Sequence, residues 1–360
     1  MIIKDEGASI RSCLESVRNV VDEIIVVDTG SRDDSVTICL EFGASVFSYE
    51  WNDDFSAARN YGLDRATGDW ILWLDADESI DMEDAMILRE AIQSGEADFF
   101  TIRLINFYGK SPNSEESFVI SHLRLFRNRI GVRYENRIHE WLQYDGQKRI
   151  LHLPVRVYHT GYMPSMIKHK DKQNRNTKLL KQELQNPNCS PWVHYHLASE
   201  YFNSKQYDVA LNQLNFGILK FVLRGLKPPS MAYRLKYLIL LELGQIRSAL
   251  SSVDKAIELY PEYVDLYFIK GLLLMVNEQY PEAIDTFRHC TTLGEDNGEH
   301  LSLSGVGSFR AWYRQGACLE KMGRFEAALA AYEHSLSISS GFHAAQEAFV
   351  DLQSRLEEGH

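Results

Sequence analysis

The stretch "WILWLDADES", residues 70–79, decides how the first half of this 360-residue chain is read. Trp70, Ile71, Leu72, Trp73 and Leu74 make an apolar run of strand length that ends directly in Asp75, Asp77 and Glu78. Upstream, "EIIVVD" (23–28) is a β-branched strand that also ends in an acid, Asp28. Between the two lie "SVTICLEFG" (35–43), a helix closed by Gly43; "SVFSYEW" (45–51), a strand; and "FSAARNYGLDRATG" (55–68), a helix closed by Gly68. Strand–helix–strand repetition at this spacing predicts an α/β domain over residues 1–162, with a mostly parallel, Rossmann-like sheet. Ligands in such sheets gather at the carboxyl ends of the strands, which places Asp28, Asp75 and Asp77 on the binding edge.

A D-x-D at a strand end sets two carboxylates on one loop, close enough to share a hard divalent cation. Mg²⁺ and Mn²⁺ take one or two carboxylates and complete their shell with water and phosphate oxygens. The plainer alternative is an acidic turn, since Asp is common in turns. The wholly apolar strand ahead of the acids and the second acidic strand end favour the cation.

Beyond residue 190 strands give way to a helical repeat. "QYDVA" (206–210), "QIRSA" (245–249), "QYPEA" (279–283) and "RFEAA" (324–328) each follow a first helix, such as "LYFIKGLLLMVNE" (266–278) or "AWYRQGACLEKMG" (311–323). The closing alanines, at 210, 249, 283 and 328, stand 39, 34 and 45 positions apart. The middle spacing is the 34-residue period of tetratricopeptide repeats, and Ala198, Gly271 and Gly316 fall where paired helices must approach closely. Turn-rich insertions at 224–230 and 295–308 account for the longer spacings. About four repeats are therefore expected over 191–355. The intervening 163–190 reads as a basic linker helix carrying Lys168, Lys170, Lys172, Arg175, Lys178 and Lys181. It is either a solvated connection or a cationic helix leaning over an anionic ligand.

Bulk properties narrow the class. A formal charge of −12, without a basic stripe in the first half, speaks against nucleic acid as a partner. Five scattered cysteines without C-x-x-C spacing suit a reduced, cytoplasmic protein. No run reaches the roughly 18 apolar residues of a membrane span, and "MIIKDEGASI" is too short and acidic for a secretory signal.

Taken in order, "MIIKDEG", "SCLESV", "VDEIIVVDTGSRDDSV", "FGASVF" and "WNDDFSAARNYGLDRATGDWILWLDADE" resemble an inverting family 2 glycosyltransferase of GT-A fold. "DDFSAARN", "RLFRN" (124–128), "RIHEWL" (137–142), "YHTGY" (158–162) and "NRNTKLL" (174–180) are similar to a bacterial subgroup fused to tetratricopeptide repeats, related to the enzyme that places glucose on a cysteine of the peptide sublancin. The resemblance implies roles for individual residues. Asp28 reads the uracil of a UDP-sugar, Asp75 faces ribose and metal, and Asp77 ligates Mn²⁺ or Mg²⁺ on the diphosphate. Arg59 and Asn60 line the nucleotide side, the backbone of "MIIKDE" floors the base, and Glu140 is the base that deprotonates the acceptor. Asp54 and Glu78 are weaker candidates for that base. His159 is a third metal ligand or a diphosphate contact, with His139 a lesser candidate; His122, His152 and His169 are structural or exposed. Two departures stand out: the first strand is short, and relatives usually carry Asn where this chain has Asp5.

The function so implied is metal-dependent transfer of glucose or an N-acetylhexosamine from a UDP-sugar to a peptide, protein or glycan acceptor. The repeats would hold the acceptor or join two chains as a homodimer. One rival is a repeat-based scaffold with a vestigial transferase domain. Another is a nucleotidyltransferase, for which "KDEGASIRS" (4–12) is a poor phosphate loop.

Overall fold

The computed structural model describes residues 1–163, 172–295 and 298–358. The chain divides into two compact units, Met1–Pro112 with Ile120–Pro187, and Asn113–Val119 with Asn188–His360. Lys168, Lys170 and His169 of the basic segment lie outside the described residues.

The first unit is α/β. β1 (Ile2–Ile3), β2 (Ile25–Asp28) and β3 (Ser45–Ser48) form a parallel sheet. α1 (Ile10–Val17) buries Ile10, Cys13, Leu14 and Val17, an i, i+3, i+4, i+7 stripe: Ile10 and Leu14 join the core of this sheet with Ile3 and Val26, and Cys13 and Val17 join a second core with Leu74 and Ile80. α2 (Ser35–Glu41) follows, and then α3 (Phe55–Leu63). Asp54 caps α3: its Oδ1 accepts from Ala57 N at 2.9 Å and from Ser56 Oγ at 2.8 Å. Gly62 lets α3 lie directly on β2, since a methyl there would sit 3.0 Å from Val27.

The second sheet of this unit departs from the expected parallel pattern. β4 (Trp70–Leu72) pairs antiparallel with β7 (Ser117–Arg127). β6 (Phe99–Phe107) runs parallel to β10 (Ile150–His159), and β10 is antiparallel to β5 (Glu78–Ile80). The sheet is thus mixed, because β5 turns back immediately after the acidic loop instead of crossing over through a helix. α4 (Ala85–Ser94) closes on Gly95 at φ 67°, the left-handed stop that glycine supplies most cheaply. A separate hairpin joins β8 (Arg133–Glu135) to β9 (Trp141–Gln143). α5 (Lys172–Glu183) belongs to the same unit, with Leu179 and Leu180 fully buried and Lys178 paired to Asp53 at 3.2 Å.

The second unit is helical apart from a two-residue strand, β11 (Ser302–Leu303), paired with Val119 and Phe118. Its helices form four consecutive antiparallel pairs. They are α6 (Trp192–Asn203) with α7 (Tyr207–Leu223), α8 (Ser230–Glu242) with α9 (Ile246–Leu259), α10 (Val264–Val276) with α11 (Tyr280–Leu293), and α12 (Phe309–Lys321) with α13 (Phe325–Ile338). α14 (His343–Glu358) follows and packs on α13. In each pair one residue of the first helix shares a core with a residue sixteen positions on, and their sizes are reciprocal. Ala198 goes with Leu214, Tyr237 with Val253, Gly271 with Phe287 and Gly316 with Tyr332. A methyl on Gly271 would lie 2.5 Å from the Phe287 ring, and one on Gly316 would lie 2.6 Å from Tyr332.

Gly271→Ala therefore gains up to about 1 kcal/mol of helix propensity and loses about 1–3 kcal/mol to overpacking. The expected outcome is a lower unfolding midpoint in urea for the repeat unit, with Gly271→Ala/Phe287→Leu recovering part of the loss. An unchanged or raised midpoint for Gly271→Ala counts against this packing.

Candidate functional site

The acids at the end of β4 do not act as one pair. The chain leaves β4 through Trp73 and Leu74, and Asp75 and Asp77 turn to different partners. Asp75 Oδ1 accepts from Arg59 Nη2 at 2.9 Å, while its backbone N–H donates to Glu78 Oε2 at 2.9 Å. Asp77 Oδ1 lies 3.5 Å from His159 Nε2. The loop is tied to the end of β10 by Thr160, whose N–H donates to the Asp77 carbonyl at 3.1 Å.

Arg59 is the hub. Its Nε donates to Glu140, its Nη2 to Asp75, and its guanidinium lies 4.1 Å from the Trp73 ring centroid. Only 9% of the Arg59 side chain is exposed, as is 9% of Glu140. A guanidinium that deeply placed needs partners on several sides, and the two acids and the indole supply them. Burial disfavours the Asp75 charge, but Arg59 and Arg124 outweigh it and hold the carboxyl below its ordinary range. Arg124 also lies 4.1 Å from the Trp73 ring centroid and pairs with the buried Glu78 at 2.6 Å. The indole thus meets two guanidinium groups, one paired with Asp75 and one with Glu78.

α3 also positions Glu140 through the chain that precedes it. Asn60 donates from Nδ2 to the Tyr134 carbonyl and accepts from the Tyr134 N–H, both at 2.9 Å, as a strand neighbour would. Phe55 N donates to the Arg137 carbonyl at 2.9 Å. One helix start, "DFSAARN", therefore fastens the "YENRIHE" segment (134–140) at three points. Asn60, expected on the nucleotide side, spends both amide atoms on this fastening, and a nucleotide contact would have to break them. Asp54, a weaker candidate base, is engaged as the cap of α3. Glu78, the other, is 2% exposed and held by Arg124 and the Asp75 amide.

Asp28 ends β2, with Oδ1 accepting from Ser31 N at 3.0 Å. The loops on either side are laced together. Asp5 N donates to Ser31 Oγ at 3.1 Å, and Asp5 Oδ1 accepts from Arg32 N at 2.7 Å. Asp5 adopts φ 54°, a left-handed conformation that Asn and Asp tolerate best. That accounts physically for one replacing the other at this position.

His159 lies in a row across three strands, since its register partners are Asn106 on β6 and Glu78 on β5. Its Nδ1 is 2.7 Å from Asn106 Oδ1. Burial alone would lower its pKa, but Asp77, with Glu78 and Asp75 behind it, raises it above the ordinary value. Around this loop four carboxylates (Asp75, Asp77, Glu78, Glu140) meet two guanidinium groups (Arg59, Arg124) and the His159 imidazole. Among the described residues no three of His, Cys, Asp and Glu converge in a metal-holding group.

Trp73, Arg124, Asn106 and Gly161 are structural parts of this cluster to which residue patterns gave no role. Arg124 and Gly161 lie inside the quoted motifs "RLFRN" and "YHTGY", and Asn106 betrays itself only as an amide within the apolar strand "FFTIRLINF".

Burial already raises the Glu78 pKa, so replacing Arg124 by Met removes the charge that offsets that burial and leaves the carboxyl without its cation in the core, a loss of about 3–5 kcal/mol. Arg124→Met/Glu78→Leu, which removes both charges, should recover most of it. Chemical denaturation of the three proteins tests this, and a single variant as stable as wild type would contradict the pairing.

Comparison with known proteins agrees with this architecture. Residues 1–156 match the model "Glycosyl transferase family 2", and residues 238–290 and 309–342 match tetratricopeptide repeat models. A TPR repeat-containing protein of Synechococcus elongatus is 34% identical over 271 residues, covering 72% of this chain and 64% of the relative. The SPbeta prophage-derived glycosyltransferase SunS of Bacillus subtilis is 32% identical over 205 residues, 54% of this chain and 47% of SunS. An uncharacterized glycosyltransferase of Rickettsia felis is 40% identical over 83 residues, 23% of this chain and 29% of that protein. The chain thus spans between about a quarter and two thirds of the length of these relatives. No described helix is long and apolar enough to cross a membrane. The acid-lined strand ends belong to a family 2 glycosyl transferase domain, and the chain joins that domain to tetratricopeptide repeats.

Proposed function

We propose that the first unit is an inverting glycosyltransferase that takes glucose or an N-acetylhexosamine from a UDP-sugar. The observation that carries this reading is the division of the D-x-D loop between two tasks: Asp75 is locked to the Arg59–Glu140 pair, and Asp77 stands beside His159. Two ligands in adjacent octahedral positions of a small divalent cation lie about 3 Å apart, so the 3.5 Å between Asp77 Oδ1 and His159 Nε2 needs little adjustment. A cation with few protein ligands and several phosphate oxygens suits such a two-donor site. Asp77 and His159 would hold Mn²⁺ or Mg²⁺, with Asp75 behind them towards the ribose. When bound, the cation supplies charge stabilisation to the departing diphosphate.

This chain's residues then divide the work. Asp28, with the laced loops of residues 5–7 and 28–35, receives the uracil. Glu140 takes the proton of the attacking acceptor. Arg59 fixes one of its oxygens and leaves the second for that role. The related SunS domain and the repeats favour a peptide or protein acceptor over a glycan. Self-association completes the reading: Val209, Phe216, Leu219 and Leu223 form an exposed apolar face of α7, and sedimentation would measure whether it joins two chains.

Calorimetry of UDP with and without Mn²⁺ tests the site. Binding should require Mn²⁺ and weaken about 100-fold or more in Asp77→Asn, the loss of several kcal/mol of cation-mediated interaction. Glu140→Gln should bind UDP·Mn²⁺ as wild type does and lose about 10²–10⁴-fold in transfer. If wild type binds no UDP under any condition, the transferase reading fails and the repeats become the place to seek function, as a protein-binding scaffold.

A further inference from the structure

Resting on the cation reading just given, we propose that Asn106 is a positioning residue that fixes the tautomer of His159, and that Gly161 keeps the gap between His159 and Asp77 open for the ion. His159 and Asn106 are register partners on adjacent parallel strands, so their side chains leave the sheet on the same face. Asn106 is 7% exposed, and its Oδ1 stands 2.7 Å from His159 Nδ1. An amide oxygen can only accept, so it holds a proton on Nδ1 and leaves Nε2, which faces Asp77, as the nitrogen whose lone pair a cation would take. A ring nitrogen directed by an acceptor on its other nitrogen is the usual arrangement for a histidine that binds a metal.

Gly161 supplies the second observation. A methyl at this position would lie 2.5 Å from His159 Nε2 and closer still to Asp77 Oδ2, directly between the two donors. Its backbone is not in the left-handed region, so alanine is conformationally acceptable there. The conflict is confined to the space in front of the two donor atoms. Thr160, tied to the Asp77 carbonyl by its N–H, prevents the two sides from spreading easily.

The experiment measures Mn²⁺ affinity of the full chain with UDP at saturation, by calorimetry and by the electron paramagnetic resonance of free Mn²⁺. Wild type is compared with Asn106→Leu, Asn106→Asp, Gly161→Ala and His159→Ala, each first checked for a native thermal transition without metal. Asn106→Leu and Gly161→Ala should weaken Mn²⁺ about 10–100-fold, the usual effect of losing a partner of a metal-binding histidine. Asn106→Asp, which keeps an acceptor on Nδ1, should bind as tightly as wild type or more tightly. If Asn106→Leu does not fold, the Asn106→Asp and Gly161→Ala results decide. Should Asp77→Asn and His159→Ala lose Mn²⁺ while folded Asn106→Leu and Gly161→Ala keep wild-type affinity, the cation reading stands and the positioning role is wrong. Weakening by Asn106→Asp equal to that by the leucine variant would also overturn it. If wild type takes up no Mn²⁺, both readings fall together.

Discussion

The Arg59 guanidinium is the constraint around which the first unit is arranged. It is a permanent charge in a site where only 9% of the side chain meets solvent, with acids on Nε and Nη2 and no hydrogen-bond partner for Nη1 among the described residues. Those partners come from three distant parts of the chain: Asp75 beyond β4, Glu140 beyond β8, and Trp73, whose face the guanidinium covers. Removing any one leaves a buried charge poorly compensated. The arrangement therefore fixes, in one step, where the acidic loop stands and where the "RIHE" segment stands relative to it.

This dependence explains why a short helix start carries so many polar residues. Within Asp54–Asn60, Asp54 terminates the helix, Phe55 N holds the Arg137 carbonyl, Arg59 takes the two acids, and Asn60 replaces a strand neighbour for Tyr134. Hydrogen bonds that individually contribute about 1 kcal/mol gain from acting on one rigid helix, because fixing α3 fixes every residue of the 134–140 segment they touch. Arg124 and Glu78 repeat the device at Trp73, whose ring both guanidinium groups approach to 4.1 Å.

What the sequence shows and what it hides follow from the range of the interactions. The α/β half and the helical array are legible because their signals are local: β-branched runs, glycine stops and recurring alanines. The reciprocal sizes of Gly271 with Phe287, or Tyr237 with Val253, are legible too once the sixteen-residue offset is known. The antiparallel directions of β4, β5 and β7 are not, since nothing in an apolar run tells which strand will lie beside it. The acids of the site announce themselves by ending strands. The partners of Arg59, Asn60 and Asn106 do not, because a cation or an amide on a helix or strand reads the same whether it faces a ligand, solvent or another strand.

The same logic assigns different work to Asp75 and Asp77, two residues that a motif treats as a pair. Asp75 is engaged through Oδ1 by Arg59, which also holds Glu140. Asp77 Oδ1 faces His159 Nε2 at 3.5 Å. Asn106 and Gly161 shape the space on the Asp77 side of the loop, where on the proposed reading the ion would sit. Nucleotide binding would then be felt at Glu140 through Asp75 and Arg59, so the base is held in place by the same contacts that frame the donor site.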